Sequence, residues 1–448
     1  MTHPTTDSRN YRIILGSYLA LLALVLPLLP VTAVGPARFE FVLFGFTLLG
    51  VALFHRHVFF VAVSGLFGIL LFKFTHVAGF ELGEHLLGHI PIWTQIVDKA
   101  QRSGEWGILL NLLGLLLGFA ILAKIFEESK VPEVLPRFLP DDWKGPLALL
   151  VMVFVLSSFL DNIAAAMIGG TIAGVVFKRK LHIGYLAAIV AASNAGGAGS
   201  VIGDTTTTMM WIDGVSVVAV LKGFIGSGAA LLVFGTIAAR QQHRHNPIQR
   251  DPTMGATISL RHLVVVALIL AGTISTNYLF DFPALGVWIG ILLGAVLVSV
   301  PWGETRHAII GSLFLLSLVT CASLMPVEAL PKASVLMALN LGFLSAVFDN
   351  IPLTKLALDQ GGYDWGILAF SVGFGGSMIW FGSSAGVAMS NIYPEVRSVV
   401  KWLRNGWYIV VAYVVGFALM VAIGQWHPTP NRSSRAEAPE AASLVAPH

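Results

Sequence analysis

The chain of 448 residues is 56% hydrophobic and 11% charged, and its mean hydropathy is +0.80. Soluble domains carry about 25% charged residues, so this composition excludes an ordinary soluble protein and favours an all-α polytopic membrane protein surrounded by lipid. The net charge of +3 does not indicate a nucleic-acid partner, because the cytoplasmic loops of membrane proteins are enriched in Lys and Arg.

The predicted elements begin with an N-terminal helix within residues 1–38, which we expect to stay on the protein because no clear signal-peptide cleavage site follows it. A first half then covers 39–238, a cytoplasmic linker 239–261 and a second half 262–425. Each half contains several apolar segments near the length of a membrane-spanning helix. The tail, 426–448, is rich in Pro, Ala and Ser, and we expect it to be disordered.

Two apolar segments, 146–177 and 333–358, each carry an Asp-Asn pair near the middle. Clusters of Lys and Arg mark the cytoplasmic side of a membrane protein. The basic run 178–180 can lie on that side only if 146–177 enters and leaves the membrane there, as a re-entrant hairpin. The same charge count makes 333–358 a hairpin from the opposite face. It predicts about 11 spans in the inner (plasma) membrane, with the N-terminus cytoplasmic and the C-terminus outside.

An internal repeat relates the two halves. Glycines interrupt two further apolar segments, 183–212 and 366–393, which we therefore predict to be broken helices. With an odd number of spans per half and hairpins from opposite faces, the repeats are inverted, as is typical of secondary transporters. The matching stretches are Asp161-Asn162-Ile163 with Asp349-Asn350-Ile351, and Gly196-Gly197-x5-Gly203-Asp204-Thr205 with Gly375-Gly376-x5-Gly382-Ser383-Ser384.

Asp161 and Asp204 are the strongest candidates for an ion site. A carboxylate at membrane depth costs roughly 2.5–3.5 kcal/mol on insertion scales and points to function. Its oxygens can hold either Na⁺ or a proton, and competition between the two is enough for an antiporter. The alternative is that each Asp caps a helix N-terminus. Both roles can coexist, and we place a Na⁺ ion at Asp161 and Asp204.

Amides and hydroxyls supplement these carboxylates. Asp349 is a third candidate carboxylate, in the second half. Asn162 follows Asp161 and Asn350 follows Asp349, and each Asn either offers a carbonyl oxygen to the ion or holds the hairpin turn. Four hydroxyls in succession cannot all face one site of a helix, and we select Thr206 and Thr207 as ligands. In the second half, Ser383 and Ser384 replace Asp204 and Thr205, so the site is chemically asymmetric. We expect Lys355 to extend towards the outer surface rather than to pair with a carboxylate.

Together these motifs resemble the NhaD-type sodium/proton antiporters of the ion transporter superfamily, which also contains arsenite, citrate and dicarboxylate carriers. The resemblance covers about residues 39–425. It implies Na⁺ or Li⁺ exchange for H⁺ by elevator-like alternating access, a scaffold domain, a transport domain with both hairpins, commonly a homodimer, and no cofactor. One departure is that Leu160 and Asn162 flank the first hairpin Asp, where the family often has a second acidic residue. The ion-site residues implied by position are Asp161, Asn194, Asp204, Thr206, Thr207, Ser384 and Asn391.

Two other functions fit the sequence less well. An anion carrier of the same fold, for citrate, dicarboxylates or arsenite, would have neutral hairpin tips, whereas three carboxylates crowd this site. An intramembrane aspartyl protease would need Gly-x-Gly-Asp, whereas this chain has Val201-Ile202-Gly203-Asp204. We therefore expect a transporter and not an enzyme.

Overall fold

A computed structural model of the chain describes residues 6–34, 37–54, 56–249 and 257–431. Two short strands, β1 (Ala33–Val34) and β2 (Ala37–Arg38), pair antiparallel. Short 3-10 or π turns lie at Leu21–Val25, Leu26–Leu28, Lys99–Gln101, Leu135–Phe138, Val327–Ala329 and Pro394–Arg397. The α-helices are, in chain order, α1 (Thr6–Ala20), α2 (Phe39–Leu53), α3 (Val58–His76), α4 (Leu82–Leu87), α5 (Ile92–Val97), α6 (Trp106–Glu128), α7 (Val131–Val134), α8 (Lys144–Ser157), α9 (Asn162–Val176), α10 (Ile183–Ala198), α11 (Thr205–Ile212), α12 (Val217–Leu221), α13 (Gly223–His245), α14 (Leu260–Phe280), α15 (Pro283–Gly294), α16 (Gly303–Ser323), α17 (Val335–Ser345), α18 (Asn350–Gln360), α19 (Trp365–Gly375), α20 (Ser384–Ile392) and α21 (Val399–Gly424).

The protein is an all-α, multi-pass membrane protein. Seven helices among the described residues are long and apolar enough to cross a bilayer, and shorter apolar helices accompany them. The predicted number of about 11 spans, the re-entrant course of the hairpins and the inversion of the repeats stay predictions. The only cysteine of the sequence, Cys321, is fully buried in α16. The long helices are Tyr11–Leu28, Val58–His76, Trp106–Glu128, Val217–His245, Leu260–Phe280, Gly303–Ser323 and Val399–Gly424.

The chain forms two compact units. The first comprises Met1–Leu109 and Ile309–Pro331. In it, α2 packs against α3, and the buried carboxylate of Glu40 pairs with the guanidinium of Arg38 at 2.9 Å and the ammonium of Lys73 at 3.5 Å. A buried carboxylate needs such partners, because desolvation of an unpaired charge is costly.

The second unit comprises Leu110–Ala308 and Lys332–His448, and it contains every residue of the candidate site. Within it α10 packs against α8 and α13, and α13 packs against α21. Of the linker predicted at 239–261, residues 239–245 continue α13, and 250–256 lie outside the described residues.

Both broken helices and both Asp-Asn segments are interrupted where the sequence predicts. Each helix after an interruption begins at a residue whose side chain caps it, and such caps satisfy backbone N–H groups that have no partner inside the helix. The interruptions separate α8 from α9, α10 from α11, α17 from α18, and α19 from α20.

Matching hydrogen bonds recur in the two halves. Ser157 and Ser345 each precede the Asp of their segment by four residues. The hydroxyl of Ser157 donates to the carbonyl oxygen of Ser193 at 2.6 Å, and that of Ser345 donates to the carbonyl oxygen of Val372 at 2.7 Å. Ser193 and Val372 each precede the Gly-Gly pair of a broken helix by three residues. Equivalent residues therefore join each Asp-Asn segment to the broken helix of its own half.

Glycine is required where these segments touch. A Cβ atom at Gly196 would lie 2.0 Å from the carbonyl oxygen of Phe154, and one at Gly375 would lie 2.3 Å from that of Gly342. Both distances are far inside van der Waals contact, so any side chain would push the helices apart. Phe154 and Gly342 are again equivalent positions.

One prediction about the tail is wrong for its first residues. Residues 426–431 are not disordered. The backbone N–H of His427 donates to Asp364, and the indole of Trp365 donates to the carbonyl oxygen of Thr429. The N–H of His427 and the carbonyl oxygen of Thr429 thus bond to the protein, whereas the composition of the tail predicts that they face solvent. Residues 432–448 lie outside the described residues.

Candidate functional site

Four helix N-termini carry the polar residues of the site. The carboxylate of Asp161 accepts from the N–H of Ile163 at 2.8 Å, and that of Asp349 accepts from the N–H of Ile351 at 3.0 Å. The other two caps follow the same rule: Asp204 accepts from the N–H of Thr206 at 3.3 Å, and Ser383 accepts from the N–H of Gly386 at 3.3 Å. All three aspartates therefore cap helices, which is the role that the alternative interpretation gave to Asp161 and Asp204.

The first pair of these helices, α11 and α18, lies side by side with both N-termini together. The amide nitrogen of Asn350 donates to the carboxylate of Asp204 at 3.2 Å. Asn431 contacts both Leu358, near the end of α18, and Asp213, which follows α11, so the C-terminal ends also meet. The two helices thus run parallel.

The second pair, α9 and α20, is arranged in the same way. Asn162 at the start of α9 reaches Ser383 through Asn194. Further along, the phenol of Tyr393 donates to the carbonyl oxygen of Gly170 at 2.9 Å. These helices also run parallel, and each pair combines one helix from each half of the sequence.

The centre of the site is the carboxylate of Asp204. It is buried, with 1% of the residue exposed, whereas Asp161 and Asp349 are partly exposed. Asp204 is close enough to Asp161 and to Asp349 to interact electrostatically with both. The hydroxyl of Ser384 lies 3.4 Å from the carboxylate of Asp349.

The asymmetry predicted from Ser383 has a second component, which involves Asn194 and was not predicted from the sequence. Asn194 donates to the hydroxyls of Ser383 and Ser377, each at 3.0 Å. The equivalent of Asn194 in the second half is Gly373, and a Cβ atom there would lie 3.5 Å from the Asp204 carboxylate. In the α9–α20 pair, the long side chain of Asn194 lies beside the short hydroxyl of Ser383. In the α11–α18 pair, the equivalent positions hold Gly373 and the longer carboxylate of Asp204.

The threonine run divides into different roles. The hydroxyl of Thr206 is buried next to Asp204, and it makes no well-formed hydrogen bond among the described residues. The hydroxyl of Thr207 donates to the carbonyl oxygens of Ser200 at 2.5 Å and Asp204 at 2.9 Å. Thr206 therefore holds its hydroxyl beside the Asp204 carboxylate, while Thr207 stabilises the interruption between α10 and α11. A role for Thr207 as a ligand stays a prediction.

Two further residues are placed away from this network. Asn391 is exposed near the end of α20, where its side-chain oxygen accepts from Arg397 at 3.2 Å. Its predicted role in the ion site stays a prediction. Lys355 does not extend to the surface: it is 1% exposed, and its ammonium lies 2.6 Å from the carboxylate of Asp359. The expectation that Lys355 extends to the surface is wrong.

The resulting centre is rich in oxygen ligands. Among the described residues no three His, Cys, Asp or Glu side chains are grouped so that they could hold a metal ion by themselves. Carboxylate, amide and hydroxyl oxygens around Asp204 instead provide the mixed oxygen environment that hard cations prefer. A proton on the same carboxylate would remove it as a ligand.

The chain is similar to known antiporters. It is 26% identical to Sodium/proton antiporter 1 of Arabidopsis thaliana over 331 residues, which are 63% of this chain and 57% of that protein. It is 28% identical to Sodium/proton antiporter 2 of the same plant over 52% of this chain and 66% of the relative. With the Na⁺/H⁺ antiporter NhaD of Vibrio cholerae it shares 24% identity over 75% of this chain and 83% of the relative. No family model matches the chain.

These relatives confirm the resemblance to NhaD-type antiporters that the motifs predicted. The chain spans 57% and 66% of the lengths of the two Arabidopsis proteins. All three are named as transporters rather than enzymes, which supports the expectation that this chain is not an enzyme.

Proposed function

We propose that this chain, similar to NhaD-type antiporters, is a secondary active transporter that exchanges Na⁺ or Li⁺ for H⁺ across the membrane. The observation that carries the proposal is the buried carboxylate of Asp204, which interacts electrostatically with Asp161 and with Asp349, each of them also a helix cap. The relatives' names support Na⁺ and H⁺ as the exchanged ions. No cofactor takes part in the proposed exchange.

The capping pattern favours a cation over an anion. Free N–H groups at a helix N-terminus attract anions. At each of the four N-termini of the site, a side-chain oxygen already accepts from a backbone N–H, and three of these oxygens belong to carboxylates. A citrate or arsenite oxyanion would meet negative charge here, so the anion carrier is not favoured.

In the proposed cycle, Na⁺ and H⁺ occupy the same carboxylates in turn. Asp204 and Asp161 bind either ion. The ligand shell comes from the surrounding amides and hydroxyls. Since the two ions exclude each other, a carrier that opens alternately to each side couples their movements. The proposed ligands, with Asp349, are Asn162, Asn194, Thr206, Thr207, Asn350, Ser383, Ser384 and Asn391.

Elevator-like movement, a homodimer, inverted repeats and re-entrant hairpins belong to this proposal through the family resemblance. The parallel pairs α9–α20 and α11–α18 support a common movement of both halves, since each pair takes one helix from each half. Such intertwined halves would move as one body that carries the site.

The test uses purified protein in proteoliposomes with an internal pH dye. We expect Na⁺ or Li⁺ added outside to dissipate a preformed pH gradient, and we expect citrate and arsenite at constant Na⁺ to have no effect. Asp204→Asn should abolish the signal. Asp142→Asn is the matched control, because Asp142 accepts from the N–H of Lys144 at the start of α8, away from the site, and Asn retains an acceptor oxygen. Flux driven by an anion and not by Na⁺ would replace this proposal with the anion carrier.

A further inference from the structure

The described end of the tail, residues 427–431, is fixed against the second half of the chain. The backbone N–H of Thr429 donates to the carbonyl oxygen of Tyr363 at 3.3 Å, and the indole of Trp365 donates to the carbonyl oxygen of Thr429 at 2.6 Å. The N–H of His427 donates to the carboxylate of Asp364 at 3.0 Å. These bonds place Asn431 at the C-terminal ends of α11 and α18.

Asn431 is fully buried and joins these two helices. Its amide nitrogen donates to the carbonyl oxygen of Leu358 at 2.8 Å and to the carboxylate of Asp213. Leu358 lies near the end of α18, and Asp213 directly follows α11. The opposite ends of the same helices carry Asn350 and Asp204, the central contact of the proposed ion site.

The second helix pair shows what this contact replaces. Gly170 and Leu358 are equivalent, since each lies eight residues after the Asn of its Asp-Asn pair. The carbonyl oxygen of Gly170 accepts from the phenol of Tyr393, the residue that follows α20. The position equivalent to Tyr393 after α11 is Gly214, which has no side chain to donate. Asn431 supplies the missing donor to the equivalent carbonyl.

We propose that Asn431 is a positioning residue, and that residues 427–431 form a clamp that holds α11 against α18 and thereby holds Asp204 against Asn350. The effect on transport rests on the proposed function, whereas the clamp itself does not. Tyr393 performs the same task for α9 and α20 from within the repeat. One half of the site is therefore held together by its own sequence and the other half by the tail.

The first test measures amide hydrogen exchange by mass spectrometry on the full-length protein in detergent. Asn431→Leu preserves side-chain size and removes both hydrogen bonds, one of them to a carboxylate, so we expect hydrogen exchange in α11 and α18 to accelerate roughly 10- to 100-fold. Exchange in α9 and α20 should not change, and it serves as the internal control. Asn431→Gln retains a donor and should restore part of the protection. Tyr363→Phe, which removes a bond to Gln360 at the same end of the molecule, is the matched control.

The second test measures two quantities: the Na⁺ concentration that half-saturates thermal stabilisation, and the Na⁺ concentration that half-saturates Na⁺/H⁺ exchange in proteoliposomes. We expect Asn431→Leu to raise both by a similar factor at a nearly unchanged maximal rate per folded protein. If Asn431→Leu does not fold, Trp365→Phe releases the anchor at Thr429 and should shift both readouts in the same direction. Unchanged amide hydrogen exchange in α11 and α18 would overturn the clamp. A lower melting temperature with an unchanged Na⁺ midpoint would overturn the positioning role. A wild-type protein with no response to Na⁺ would overturn the proposed function, and hydrogen exchange would still decide the clamp.

Discussion

The side-chain amide of Asn350 donates a hydrogen bond of 3.2 Å to the carboxylate of Asp204. The two residues come from different halves of the sequence, so neither half contains the complete proposed ion site. In the α9–α20 pair, the amide of Asn162 donates to Asn194 of its own half. Asn194 in turn donates to Ser383 of the other half. Within the described part of the chain, the carboxylate of Asp204 therefore has one direct amide partner, Asn350.

This difference predicts unequal effects of removing the two amides. We expect Asn350→Ala to raise the half-saturating Na⁺ concentration by about 10- to 100-fold, because a hydrogen bond to a charged group contributes about 1.5–3 kcal/mol. Asn162→Ala should have a smaller effect, since its amide contacts a neutral partner. Proteoliposome exchange measured over a range of Na⁺ concentrations checks both variants. Equal losses would contradict the asymmetry.

Competition between Na⁺ and H⁺ predicts how exchange depends on pH. The half-saturating Na⁺ concentration should rise as pH falls, because protonation of Asp161 or Asp204 removes a ligand. Asp204→Asn should abolish exchange in a protein that still folds, since the amide retains an oxygen but has no titratable charge. Asp204→Glu should retain weak exchange with a shifted pH profile, because its extra methylene displaces the oxygens by on the order of 1 Å. Wild-type exchange in Asp204→Asn would leave Asp204 a structural cap.

Local sequence features were sufficient to predict the interruptions of the helices. An Asp before an apolar run indicates a cap, and a glycine cluster indicates a break, so 183–212 contains α10 and α11 as expected. Contacts between distant residues were not predictable in this way. Asn194 is distinctive because Gly373, at the equivalent position, has no side chain. Asn431 donates to the carbonyl oxygen that Gly214, the equivalent of Tyr393, cannot reach with a side chain. Neither glycine indicates this in the sequence until the contacts are seen in three dimensions.

The pair of buried Lys355 and partly buried Asp359 predicts a thermodynamic coupling. We expect Lys355→Met to lower the free energy of unfolding by about 1.5–3 kcal/mol, because it removes a hydrogen bond between charged groups. The double variant Lys355→Met, Asp359→Leu should recover part of this loss. Melting temperatures in detergent, analysed as a double-mutant cycle, test the coupling. Lys124→Met is the matched control, because Lys124 pairs with Glu127 at an exposed position where a pair contributes about 0–1 kcal/mol. Additive effects of the two substitutions would contradict the coupling.

His182 predicts a loss of stability in mild acid. Its Nδ1 atom accepts from the N–H of Gly184 at the start of α10, and burial together with the nearby His245 lowers the pKa of His182 below its usual 6.5. As pH falls through 6.5, the unfolded chain takes up a proton that the folded protein resists, so stability decreases. His182→Asn retains a capping oxygen without titrating, and melting temperature should then fall less between pH 7.5 and 5.5. The exposed His307 is the control, and an equal change in His307→Asn would count against this origin.

The burial of Cys321 has a practical consequence for locating each segment in the membrane. A thiol that solvent cannot reach does not react with a polar maleimide, so the unaltered chain is already a silent background for labelling. Any cysteine introduced at the surface is then the only reactive one. The predicted topology has the hairpins entering from opposite faces, and on that topology Lys180→Cys should react only with reagent on the cytoplasmic side and Lys332→Cys only with reagent outside. A single round of labelling on intact cells and inverted vesicles thus reads the sidedness of both Asp-Asn segments without altering a native residue of the site.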